Sequence, residues 1–108
     1  MANFGDFLGE LQTELKDFVG KNFKTVSMAA SKDADAFVKK AKDDLERWTK
    51  LLADGSLTIH DFEFLVAAKK DLVEMTALKQ AGLVQVQIDR FVSGVVGVII
   101  NAASTVFL

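Results

Sequence analysis

The stretch LADGSLTIHDFEFL, residues 52–65, gathers the residue types of this chain most able to do chemistry. Asp54, Asp61 and Glu63 offer carboxylates, and His60 is the single histidine. The pattern resembles the second half of a helix–loop–helix calcium site, with Asp54-Gly55-Ser56 in the loop and Asp61 at its end. Such a loop also needs oxygen ligands at its first and third positions. Those positions hold Lys50 and Leu52. An ammonium repels the cation and a Leu donates nothing, so the stretch reads as a turn between two helices and not as a calcium site. His60 has no convergent partner in sequence and is expected to sit exposed in the first turn of a helix.

Other constellations are weaker. Asp43-Asp44 lies on a face read as wet. No inward Glu-x-x-His pattern of dinuclear metal bundles occurs. Ser93-Gly94-Val95 lacks the surroundings of a nucleophile elbow, and Gly94 to Gly97 lacks those of a phosphate loop. No catalytic, cofactor-binding or metal-ligating residue is therefore assigned. The expectation is a protein that is not an enzyme, with no cofactor and no evident small-molecule substrate.

Composition narrows the partners. The net charge is −2, with 13 basic and 15 acidic residues closely interleaved. No basic block marks a nucleic-acid partner. There is no Cys, hence no disulfide or thiolate chemistry, and no Pro, which permits long helices. The first residues lack a basic segment followed by a compact apolar one, the pattern of a secretory signal. The expected location is cytoplasmic, or cytoplasmic and membrane-peripheral.

The elements that carry these residues read as helices in a single domain spanning 1–108. Apolar residues from Phe4 to Val26 recur at spacings of three and four, predicting a helix over about 3–28 with a bend near Gly20. Ala34, Phe37, Ala41, Leu45, Trp48 and Leu52 predict a second over about 32–53, with Ser31 as N-cap. Its outer face is a ladder of opposite charges four apart, such as Asp43–Arg47 and Glu46–Lys50. Asp54-Gly55 stops it, and Thr58 with Asp61 forms a capping box for a third helix over about 59–81. A fourth spans about 83–106. Leu83–Ile88 alternates like a strand, but no other stretch could pair with it. Gly82 has no polar neighbours to make a loop. The backbone either continues through it, making one rod of roughly 70 Å with or without a kink, or reverses to complete the bundle; continuation is the preferred expectation. The fold class is all-α: an antiparallel bundle of three to four helices, the last long or kinked at Gly82.

The segment Phe91–Leu108, FVSGVVGVIINAASTVFL, has no charged residue. As a helix it would be roughly 27 Å long, close to the hydrocarbon thickness of a bilayer. Its Gly, Ser and Asn residues weaken it as a span, and no aromatic belt or trailing basic residue anchors it. Ser93, Gly94, Gly97, Asn101 and Ser104 align on one side and Phe91, Val95 and Ile99 on the other. Small residues in line let helices approach closely, and a lone Asn fixes register. The sequence thus predicts a homo-oligomeric interaction or scaffold protein that self-associates through this helix. The alternative is a lipid-surface protein that inserts residues 91–108.

Overall fold

The computed structural model describes residues 2–108. It is all-α. Five helices run Phe4–Asn22 (α1), Ser27–Ala53 (α2), Ile59–Ala67 (α3), Thr76–Gln80 (α4) and Gln85–Phe107 (α5), with a 3-10 turn at Lys24–Val26. They form an up-down-up-down bundle whose third arm is broken into α3 and α4. The 27 residues of α2 span about 40 Å at 1.5 Å per residue. This matches the long dimension of the molecule, 42 Å.

The first correction concerns the reversal between α1 and α2. Helix one does not reach Met28, and α2 does not wait for Ser31. The backbone leaves the helix at Phe23 (φ −134°, ψ 38°). That turn lays the Phe23 ring edge-on against Phe91, with centroids 5.1 Å apart. Met28, Ala29 and Ala30 favour helix, and Ala30 is fully buried in line with Ala34 and Phe37. Helix α2 therefore starts at Ser27 with no side-chain cap, and Ser31 lies exposed inside it.

The second correction is the third arm. The expected helix over 59–81 ends at Ala67 and resumes at Thr76. Successive bonds from Lys69, Lys70 and Leu72 N–H to the carbonyls of Val66, Ala67 and Lys69 unwind it. Met75 then takes a left-handed conformation, φ 54°, which costs a non-glycine residue roughly 1–2 kcal/mol. What offsets this cost is Asp33 of α2. Its buried carboxylate accepts the N–H of Ala77 at 3.2 Å and of Leu78 at 2.8 Å, capping α4 from another helix. A straight helix from Ile59 could not present those two donors to α2. Met75 and Leu78 become fully buried as a result. Phe64 of α3 lies outside this core and is 77 % exposed.

The third correction is at Gly82. The two C-terminal helices are not continuous, and there is no 70 Å rod. Gly82 has φ +96°; its N–H bonds the carbonyl of Lys79, and Leu83 N–H bonds that of Leu78. This pair of bonds closes the helix in a left-handed C-cap. Gly55 (φ +83°) ends α2 by the same pair, Gly55 to Leu52 and Ser56 to Leu51. The stop at Asp54-Gly55 and the Thr58–Asp61 capping box form as the sequence predicts.

The predicted charge ladder on α2 does not form; Asp44 takes its place. Its carboxylate accepts Arg47 at 2.6 Å and Lys69 at 2.9 Å. The Lys69 ammonium beside it, with Arg47, holds its pKa below the usual carboxylate range. Both cations lie about 6 Å from the Trp48 ring centroid (6.0 and 5.9 Å). This cluster fastens the end of α3 to the middle of α2.

Candidate functional site

Helix α5 packs on α1, α3 and α2, and its sides differ in what they meet. The inward side consists of Ile88, Phe91, Val95, Val96, Ile99, Ala102 and Ala103, all buried. Phe91, Val95 and Ile99 are fully enclosed by helices of their own chain. Two aromatic contacts fix the antiparallel register with α1. Phe91 lies 6.0 Å from Phe18 near one end, and Phe107 lies 6.2 Å from Phe7 at the other.

The small-residue row divides. Gly94 turns toward α1, where the Phe18 ring occupies the space a Cβ would need. Asn101 also turns toward α1, and its Nδ2 donates to Glu14 Oε1 at 2.6 Å. Burial pushes the Glu14 carboxyl up; Glu10 adds to the rise, and the bond from Asn101 opposes it. Glu14 Oε2 is buried with no partner. Ser93 and Gly97 face outward and are exposed, Ser104 is half-buried, and nothing lies within 4 Å of a Cβ placed on Gly97. Ile100 sits half-buried between them. The predicted row is therefore two surfaces: one closes the contact of α5 with α1, and the other faces out.

The turn at residues 54–63 uses its carboxylates locally. Asp54 Oδ1 accepts Ser56 N–H at 2.9 Å, and Asp61 accepts Thr58 N–H at 3.5 Å. The Ser56 side chain and, after it, the Ser56 backbone N–H hold the exposed Asp54 carboxyl below the ordinary range. The His60 side chain is 89 % exposed, with Glu63 Oε2 3.6 Å from its Nδ1. Among the described residues no three His, Cys, Asp or Glu side chains converge as metal ligands would.

Sequence reasoning missed Asp33 and Glu14. Asp33 sits among Ala30, Ala34 and Phe37 on the inward stripe of α2, and an acid at that phase was the available signal. Comparison with protein-family models, curated proteins and solved structures finds no match.

Proposed function

We propose that this chain is a helical interaction module, not an enzyme, that self-associates through the outward side of α5. The observation that carries the reading is the absence of charge on that side. From Phe91 onward the exposed and half-exposed positions of α5 hold Ser, Gly, Asn, Thr and apolar residues only. The outward side of α2 carries charged residues along most of its length, Lys39, Asp43, Glu46 and Lys50 among them. Charge depletion is what distinguishes the centre of an interface from ordinary surface. Gly97, between Ser93, Ile100 and Ser104, leaves room for a second helix to approach closely. The module would act in the cytoplasm or at a membrane periphery as a homo-oligomer.

Sedimentation across a concentration series tests this. The parent chain should form a discrete dimer or higher oligomer in water without detergent. Gly97→Leu should shift it toward monomer while keeping its helicity, since the position is open. A parent that stays monomeric, or a variant with unchanged mass, would sink the reading.

A second reading, insertion of residues 91–108 into lipid, draws on one observation. Helix α5 is long and apolar enough to cross a membrane. Insertion would require Phe91, Val95 and Ile99 to leave the core, so it demands that the bundle open. Trp48 is 8 % exposed; under this reading its fluorescence should shift to the red on adding lipid vesicles.

A further inference from the structure

The two chain reversals at one end of the bundle share a composition found nowhere else in the molecule. Residues 18–32 lead from α1 into α2, and residues 75–88 lead through α4 into α5. Together they hold Lys21, Lys24, Lys32 and Lys79, with Arg90 just beyond. The acids bordering them are Asp17, paired with Lys21, the buried Asp33, and the exposed Glu74 and Asp89, so basic residues exceed exposed acids at this end. The opposite end is formed by residues 2–10 and 50–63. Those segments hold five acidic residues against Lys50. The interleaved charges of the sequence are thus sorted along the long axis into a basic and an acidic pole.

The basic pole also exposes apolar side chains. Met28 is 87 % exposed, and Val84 and Val86 are each 63 % exposed. Between the two reversals lies a cleft of about 480 Å³, lined by Phe23 and Val26 from the first and by Leu83 and Arg90 from the second. Lys24, Lys32, Lys79 and Arg90 make no ion pair among the described residues.

We propose that this pole docks on an anionic phospholipid bilayer. Met28, Val84 and Val86 enter the headgroup layer while Lys24, Lys32, Lys79 and Arg90 meet lipid phosphates. Exposed apolar side chains ringed by cations are what such an interface recognises. Hydrophobic side chains would gain nothing from a nucleic-acid backbone, and four scattered lysines do not form a row that could track one. The net charge of −2 does not oppose docking. The acidic pole lies at the far end of a 42 Å molecule, several times the Debye length of about 8 Å at physiological salt. A molecule docked in this way stands on its end with α5 still packed in the bundle. The proposal is independent of self-association, which uses the side of α5.

Flotation of the full chain with vesicles tests it. The probes are phosphatidylcholine alone and phosphatidylcholine with about 30 % phosphatidylglycerol, in about 0.15 M and about 0.5 M salt. The chain should bind the mixed vesicles at low salt, release at high salt and ignore the neutral ones. Lys24→Gln and Lys79→Gln should each weaken binding roughly fivefold. Val84→Ser with Val86→Ser should weaken it roughly tenfold with helicity intact. Lys50→Gln, at the acidic pole, should change nothing, and Gly97→Leu should bind like the parent whatever its mass. Failure to float with mixed vesicles, equal binding to neutral ones, or indifference to the Val84 and Val86 changes would overturn the proposal. So would a red shift of Trp48 on binding, which would mean that the bundle opens. Preference for heparin or an acidic protein over the vesicles would also overturn it.

Discussion

The carboxylate of Asp33, buried in α2, accepts the backbone N–H of Leu78 at 2.8 Å across 45 residues of sequence. With the second bond from Ala77, this contact lets a helix of only five residues, α4, exist at all. So short a helix has no independent stability in water.

Asp33→Ala should therefore cost roughly 2–4 kcal/mol, because one buried and one part-buried N–H lose their charged acceptor. Asn at the same position keeps one oxygen and should cost about half as much. Thermal denaturation followed by circular dichroism checks both. A loss below about 0.5 kcal/mol for Ala would show that α4 is held by apolar burial alone.

Gly94 and Gly97 are one helical turn apart and should respond oppositely to alanine. At Gly94 the methyl group must displace the Phe18 ring. Overpacking of this kind costs about 1–3 kcal/mol, against a gain of about 1 kcal/mol in helix propensity. At Gly97 nothing within the chain is displaced, so only the gain remains when Tm is measured at concentrations where the chain is monomeric. Gly94→Ala should lower Tm and Gly97→Ala should raise it. The sizes should be about 4 °C per kcal/mol for a chain of this length.

Burial raises the pKa of the Glu14 carboxyl in the folded protein above its ordinary value of 4.5. Stability from a group shifted this way is fully present below the unfolded pKa and is lost as pH rises through the folded pKa. Glu14→Gln removes the titration while keeping an acceptor for Asn101. The variant should be more stable than the parent at pH 7, and the difference should shrink as pH falls below about 4.5. Denaturant midpoints at several pH values check this; a pH-independent difference would contradict it.

The helix periods of α1, α2 and α5 were legible because each buries one regular stripe, and Phe91, Val95 and Ile99 were read on the same side of α5. The third arm was not legible, because its cause lies outside it. Residues 59–81 keep a helical period throughout, and it is Asp33, in another helix, that makes a break worthwhile. Gly82 was ambiguous because its neighbours Ala81 and Leu83 are not polar. The cap it forms needs only a residue tolerant of positive φ and backbone donors, so polarity was the wrong signal. Gly94, Gly97 and Asn101 were read as one row, whereas Gly94 and Asn101 meet α1 and Gly97 faces out. Which of them faces α1 depends on where Phe18 and Glu14 lie, and no periodicity in α5 carries that information. The sorting of charge into poles was hidden for a similar reason. Lys24 and Lys79 are far apart in the chain and share an end of the molecule only once the chain reverses at Phe23 and Gly82.

The break in the third arm means that the native state need not hold together as one cooperative unit. Helices α1, α2 and α5 are each 19 residues or longer, while α3 and α4 are nine and five residues joined by an irregular stretch. The segment from Ile59 to Gln80 can then detach as a sub-global opening, releasing the Asp33 and Lys69 contacts together. In native-state hydrogen exchange its amides should share a single low opening free energy, well below that of Leu45 or Val95. During folding the same segment would be the last to dock, onto a three-helix intermediate that already contains α5.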